Sequence, residues 1–502
     1  MTTMINNYQI PDEVINVSKK LKEAGFEAYL VGGCVRDILL NRKPKDWDLT
    51  TDATPDDIIK LFDKTFYENV YGTVGVVNEA TADQTLKVIE VTPYRVESTY
   101  SDNRRPDSVS FSKNLEDDLK RRDFTINAIA LNIEEKSGVD GLYKGQMIDL
   151  YNGQADIVNK TLKTVGNPTE RFHEDGLRIM RAVRIATEIG FTINEETLEA
   201  ISKSAKLLKN IARERIHTEF NSILMSKQPS VGLFMCQKLG LLPYILPELE
   251  ETIGVEQGGM HLYDVYEHSL RSLQAAADKD FPLEVRLAAL LHDIGKPKSR
   301  RAGTGKKEWT FFGHEVIGNR IAQKILEDLK YPNKISEKVL TLIRWHMFFS
   351  DTEQISLSAV RRMIANVGKE NIWDLMDVRI CDRLGMGRPK EDPYRLRKYH
   401  SMIEEALRDP ISVGMLKIDG KRVMEITSET PGPRIGWILN AILEEILEKP
   451  ELNEEKILEE MAIDKAKLNN ETLKDVGESG KEKKEIEEEK AIKKIRNSHK
   501  VS

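Results

Sequence analysis

Residues 31–50 read VGGCVRDILLNRKPKDWDLT. Two glycines, Gly32 and Gly33, stand between the strand-like EAYLV before them and a short amphipathic run beginning near Val35. A Gly-Gly turn that opens a helix leaves free backbone N–H groups at the helix start, where an anion such as a triphosphate can sit, with Arg36 alongside. About ten residues on come Asp46 and Asp48. On a strand, residues two apart project from one face, so both carboxylates are expected to point the same way. Glu90, in VIEVTPYR on a second expected strand, is the candidate third carboxylate. Three such groups could hold the divalent ions of phosphoryl-group chemistry.

The flanking sequence supports an α/β setting. PDEVINVSKKLKEAGF has helical spacing of Val14, Ile15 and Leu21, with Gly25 as a stop. TPDDIIKLF opens with Thr54 as N-cap and Pro55 at the first helical position. VYGTVGVV and LKVIEVTPYR are rich in β-branched residues. After Gly166 the pattern turns helical to about residue 460, with breaks at 227–230, 241–247 and 278–282. The expected fold is multidomain: an N-terminal α/β (α+β) head followed by a largely all-α neck, body and further domain. From 462 to 502 the chain is charge-rich and aromatic-free, which reads as a solvated, disordered tail.

The 502 residues exceed what one core usually serves. They are 40% hydrophobic and 31% charged, a globular balance. No run approaches the roughly 18 apolar residues of a membrane span, and the N-terminus lacks a secretory pattern. Cys34, Cys236 and Cys381 are too scattered for a disulfide framework, which suits a reducing, cytoplasmic setting. A net charge of −7 argues against indiscriminate nucleic-acid binding by the whole surface but leaves room for a local basic groove. Basic residues cluster at Arg104–Arg105, 120–123 and 178–184.

GGCVRDILL followed by DWDLTTDATP resembles the signature of the class II nucleotidyltransferases, the CCA-adding transfer-RNA enzymes and their poly(A) polymerase relatives. RRDFTINAIAL (121–131), GNPTERFHEDGLRIMRAVRIATEIGF (166–191) and IARERIHTEF (211–220) resemble the next blocks of that family, in order. The resemblance runs over about residues 10–250, with an echo at 430–447. It implies transfer of nucleotides from CTP and ATP to a tRNA 3′ end. Asp46, Asp48 and Glu90 would be catalytic, the aspartates as Mg²⁺ ligands. Gly32, Gly33, Arg36, Arg122, Asp123, Asn127, Asp175, Arg178, Arg181 and Arg184 would form the nucleotide site.

Asp175 and Arg178 carry a chemical reading of their own. At i, i+3 on a helix they would face the same way. A carboxylate accepts and a guanidinium donates. Cytosine and adenine both offer an amino donor beside a ring-nitrogen acceptor, whereas guanine and uracil present the opposite polarity. Such a pair could select C and A without a template. The segment 94–123 resembles the loop that CCA-adding enzymes use to switch from C to A, which favours A addition. Full CCA addition, A-only addition and poly(A) synthesis stay open at this point.

A second constellation lies in the middle of the chain. His268, His292–Asp293 and Asp382, with His314 and His346, give the order H…HD…H…H…D, which resembles the HD phosphohydrolase superfamily. His261 lies near in sequence. Imidazoles and carboxylates together suit a divalent transition metal, and Mg²⁺ stays open as well. Lys296, one turn after Asp293, could meet a phosphate. The resemblance implies hydrolysis of terminal or 2′,3′-cyclic phosphates on RNA ends. A protein working through this site alone, with a vestigial head, is the rival reading.

The expected division is a head at 10–155, a helical neck and body for base reading and RNA binding at 156–255, an HD domain at 256–400, a helical RNA-binding segment at 401–461, and the tail at 462–502. Phosphate contacts from the helical part predict salt-sensitive RNA affinity. The sequence gives no oligomeric state.

Overall fold

The computed structural model describes residues 5–67, 72–97, 109–136, 142–258, 262–303, 309–348, 355–387 and 393–478. Arg104, Arg105, His261 and the middle of the expected C-to-A loop, residues 98–108, lie outside the described residues. The chain forms two compact units, dividing at Ile245/Leu246.

The first unit is built on an eight-stranded mixed sheet. Its strands are β1 (Ile5–Gln9), β2 (Ala28–Val31), β3 (Asp48–Thr51), β4 (Thr65–Tyr67), β5 (Val74–Val77) and β6 (Val88–Pro93). After the hairpin of β7 (Arg95–Glu97) and β8 (Val109–Phe111) come β9 (Ile129–Lys136) and β10 (Leu142–Asp149). The order is β1-β10-β9-β2-β3-β6-β5-β4, with β7 and β8 paired apart. Only β3 and β6 run parallel within the eight-stranded sheet, and their register sets Asp48 opposite Glu90.

Local sequence explains the framing helices. Helix α1 (Asp12–Glu23) buries Val14, Val17 and Leu21, and Gly25 turns the chain at φ +90°. Helix α2 (Gly33–Leu39) follows the glycine turn directly. Helix α3 (Pro55–Leu61) starts from a reciprocal capping box between Thr54 and Asp57, a motif worth about 1 kcal/mol. Helices α4 (Leu115–Lys120) and α5 (Gly153–Val158) complete the head. The neck consists of α6 (Pro168–Glu174), α7 (Leu177–Ile189), α8 (Glu195–Ser204), α9 (Arg213–Leu224), α10 (Pro229–Lys238) and the short α11 (Leu242–Ile245). Helix α7 packs on α9 and α10, and Ile179, Val183, Ile216, Phe220 and Leu233 on these helices are all buried.

Among the described residues, the second unit is helical apart from a two-residue β ladder, Arg301–Ala302 with Trp309–Thr310. It runs through the short α12 (Pro247–Glu250), then α13 (Val265–Asp278), α14 (Leu283–Leu291), α15 (Lys296–Ser299), α16 (His314–Asp328), α17 (Asn333–Trp345), α18 (Leu357–Val367) and α19 (Ile372–Gly385). Then come α20 (Tyr394–Ala406), α21 (Gly420–Thr427), α22 (Pro433–Glu448), α23 (Glu455–Ala466) and α24 (Asn470–Glu478). Small buried residues, Ala275, Ala276, Ala289 and Cys381, let α13, α14 and α19 approach closely.

The structure corrects the expected tail boundary. Residues 462–478 are not a disordered tail: they complete α23 and form α24, which packs on α22. Leu458, Ala462 and Leu473 are fully buried. Charge-rich composition hid this because a few apolar residues at wide spacing are enough to seat a helix on a neighbour.

Candidate functional site

The head site gathers around Gly32. Its φ of +83° is a left-handed conformation that glycine adopts without strain. A Cβ there would lie 3.2 Å from Asp48 Oδ2 and 3.3 Å from an Arg122 Nη1, so the turn sits against both side chains. A Cβ on Gly33 would lie 3.8 Å from Asp46 Oδ1 and 3.7 Å from Arg36 Nη2. The glycine turn, both aspartates, Arg36 and Arg122 therefore share one locus.

Asp46 does not lie on the strand, as the spacing had suggested. Strand β3 begins at Asp48, and Asp46 belongs to the approach to it. Buried Trp47 occupies the position between the two carboxylates. Asp48 faces Glu90 across the β3–β6 ladder, and the Glu90 N–H donates to the Trp47 carbonyl at 3.0 Å. Burial pushes the Asp48 carboxyl up to about 7, and the neighbouring Asp46 and Glu90 carboxylates push in the same direction. Three acidic oxygen donors that crowd one another fit a hard divalent ion such as Mg²⁺.

Beside the carboxylates runs a polar chain. Arg36 donates to Asn127 Oδ1 at 3.0 Å, and Asn127 Nδ2 donates to Asp123 Oδ1 at 3.1 Å. Arg181 grips Asp123 Oδ2 through Nε and Nη2, at 2.9 and 2.7 Å. Burial alone would raise the Asp123 carboxyl, but Arg181 and the Asn127 amide outweigh it and hold it well below the usual range. Arg184 donates to Glu219 at 2.5 Å and to Glu188 at 2.9 Å. Arg122 pairs with the buried Asp118 at 2.9 Å. In this structure Arg181 and Arg184 are thus engaged with carboxylates of the protein.

The expected Asp175–Arg178 helix pair is also corrected. Asp175 opens the two-residue break, Asp175 and Gly176, between α6 and α7, with φ −142° and ψ 105°, and Arg178 stands on α7. The two side chains take different partners. Asp175 binds Arg215 of α9 at 3.1 and 2.7 Å, while Arg178 donates to Glu174 at 2.5 Å and to the Arg121 carbonyl at 3.0 Å. Arg215, Glu219, Glu174 and Glu188 were missed by sequence reasoning. Two of them, Arg215 and Glu219, stand inside the IARERIHTEF block, which was the available signal.

In the second unit all six expected ligands converge. His268 lies on α13, His292 closes α14 with Asp293 next, His314 opens α16, His346 closes α17, and Asp382 is on α19. Their donor atoms form two groups, His268–His292–Asp382 and Asp293–His314–His346, all buried. Asp293 joins them: Oδ2 lies 3.3 Å from His268 and 3.2 Å from His292, and Oδ1 lies 3.3 Å from His314. The Nε2 atoms of His268 and His292 are 3.1 Å apart, and those of His314 and His346 3.2 Å. In each group the two Nε2 atoms turn towards one another. Mixed imidazole and carboxylate donors of this kind fit a divalent transition metal.

Supporting contacts orient these ligands. His292, His314 and His346 each set Nδ1 against a backbone carbonyl, at 2.9, 2.8 and 2.7 Å. Burial would lower His268, but Asp293 and Asp382 outweigh it and lift it to about 9. His346 is driven well below its usual value by burial and by the neighbouring His292 and His314 rings. Lys296 is buried and donates to Asp293 Oδ2 at 2.6 Å and to Gln257 at 2.5 Å. Arg379, also missed, pairs with Asp382 Oδ2. Gly295 permits the close crossing: a Cβ there would fall 2.2 Å from the His314 carbonyl oxygen.

Residues 28–163 match the family model described as the Poly A polymerase head domain. Residues 190–253 match the probable RNA and SrmB-binding site of polymerase A, and residues 265–387 match the HD domain. Fold and sites together define a class II nucleotidyltransferase carrying an HD domain. A CCA-adding enzyme of Ligilactobacillus salivarius is 34% identical over 457 residues, covering 90% of this chain and 97% of the relative. One from Enterococcus faecalis is 32% identical, covering 91% and 96%. The crystal structure of the Bacillus stearothermophilus CCA-adding enzyme in complex with CTP aligns with a TM-score of 0.67 and 28% identity, covering 90% of this chain and 96% of that one. The chain belongs to the CCA-adding enzyme family.

Proposed function

We infer that the protein adds C, C and A to the 3′ end of tRNA, using CTP and ATP and no nucleic-acid template. The observation that carries this reading is the meeting of Asp48, Glu90, Arg122 and the Gly32 turn at one point of the head. The RNA 3′-hydroxyl attacks the α-phosphorus of the bound nucleotide; the new P–O bond forms as the bond to the β-phosphate bridge breaks, and pyrophosphate leaves. The Gly32–Gly33 turn, Arg36 and Arg122 hold the triphosphate. Asp46, Asp48 and Glu90 would hold Mg²⁺, which when bound supplies charge neutralisation on the triphosphate and activation of the hydroxyl. Asp123 and Asn127 organise the sugar side of the site, with Arg181 and Arg184 behind them. Asp175 and Arg178 offer an acceptor and a donor to the base. The neck carries RNA largely through phosphate contacts, so affinity falls with salt.

The six-ligand set supports a second activity, metal-dependent hydrolysis of phosphate esters on RNA ends by the HD domain, with a divalent transition metal or Mg²⁺. A reducing, cytoplasmic setting suits the three free, buried cysteines. No helix among the described residues is long and apolar enough to cross a membrane.

The head assignment is tested with labelled CTP and a tRNA transcript that lacks its CCA. Wild-type protein incorporates C. Asp48→Ala reduces incorporation at least about 10³-fold with an unchanged far-UV circular dichroism spectrum. Near-normal incorporation by the variant would remove Asp48 from the reaction.

A further inference from the structure

We propose that Arg215, on neck helix α9, is a positioning residue that sets base selectivity by fixing the Asp175 carboxylate; this rests on the base-reading role given to Asp175 above. Asp175 lies in the break between α6 and α7; its backbone is held by its N–H to the Arg171 carbonyl at 3.4 Å and by the Arg178 N–H at 3.0 Å, which leaves the side-chain torsions to be set by other contacts. The terminal torsion of an aspartate is intrinsically broad. Two donors determine where its oxygens point. The Leu177 N–H reaches Oδ1 at 3.0 Å, and the Arg215 fork spans both oxygens at 3.1 and 2.7 Å. Asp175 is largely shielded, with a side-chain exposure of 17%.

A carboxylate offers about four lone-pair positions. Oδ1 takes two donors, from Leu177 and Arg215, and Oδ2 takes one. A single acceptor direction is left, on Oδ2. An amino group of cytosine or adenine satisfies it, while a carbonyl of uracil or guanine brings oxygen against oxygen. Arg178 is fixed separately by Glu174 and the Arg121 carbonyl, so the two reading groups are held by independent clamps. Without the Arg215 fork the carboxylate turns, and its free lone pair no longer has one direction. Arg215 thereby ties the choice of base to the seating of α9 against the α6–α7 break.

The test measures kcat/KM for each of the four nucleoside triphosphates on tRNA lacking CCA, for wild type, Arg215→Lys and Arg215→Met. The ratio of CTP to UTP use should fall about tenfold or more in Arg215→Met. Arg215→Lys keeps the charge but not the fork, so its ratio falls to an intermediate value, and it carries the test if the methionine variant does not fold. In an Asp175→Ala background, Arg215→Lys should change the ratio no further. Unchanged selectivity in variants that still incorporate C, or losses that add to those of Asp175→Ala, overturn the role of Arg215 alone. A wild-type protein that incorporates neither C nor A overturns the reading beneath it, and this inference with it.

Discussion

Arg181 shows how a residue can be found from sequence while its present partner is not. The family resemblance of the HEDGLRIMRAVR block singles it out for nucleotide contact, whereas in the structure it grips Asp123. That pairing has a definite pH signature. Asp123 is held far below its unfolded value of about 3.9, so the stability it contributes is complete well above that value and is lost progressively as pH falls from there through the depressed folded value. Arg181→Met leaves Asp123 buried with the Asn127 amide and without its main cation. Because Arg181 is about one-third exposed, the cost at pH 7 is discounted to about 2 kcal/mol. Below about pH 4 the unfolded carboxyl is neutral in both proteins, so the gap narrows. Thermal melts at pH 7 and pH 3 check this: a gap that keeps its size across the range would show that the ion pair is not its source. Asp46, by contrast, was assigned to a strand by period-two spacing, which is blind to where a strand begins.

At the scale of elements, the HD centre depends on helix ends. His292, His314 and His346 stand at the limits of their helices, so one junction gathers residues far apart in sequence. The order of the histidines and aspartates was legible because each ligand type is chemically distinctive. Gln257 and Arg379 were not, since such residues are ordinary on any surface until the fold turns them inward. Asp293 groups with His314 and His346 through Oδ1, while its Oδ2 reaches His268 and His292 of the other group, and Asp382 belongs to that other group alone. In an Asp48→Ala background, which weakens binding by the head, calorimetric titration with Mn²⁺ should show two sites in the HD domain. Asp382→Ala should retain the His314–His346 site, and Asp293→Ala should lose both. Two sites surviving in Asp293→Ala would contradict a shared carboxylate. The tail was misread for a related reason. Leu458, Ala462 and Leu473 are too few to stand out among lysines and glutamates, yet each is buried because α22 already offers an apolar face.

For the whole molecule, the division into an α/β head with a helical neck and a second helical unit follows the change of periodicity after Gly166. The compact units part at Ile245/Leu246, before the expected 255/256 boundary and within the break that the sequence shows at 241–247: α11 (Leu242–Ile245) ends the first unit and α12 (Pro247–Glu250) opens the second. On the function proposed above, the protein itself, with no template, defines both the order and the end of synthesis. The most direct measurement offers purified protein three tRNA transcripts, ending before the first C, after CC, and in CCA, with each nucleoside triphosphate labelled in turn, and reads product length. CCA addition directed by the protein alone gives C, C and A on the first, A alone on the second, and no addition to the third. Long A tails, or A added only to the CC-ended transcript, would contradict it.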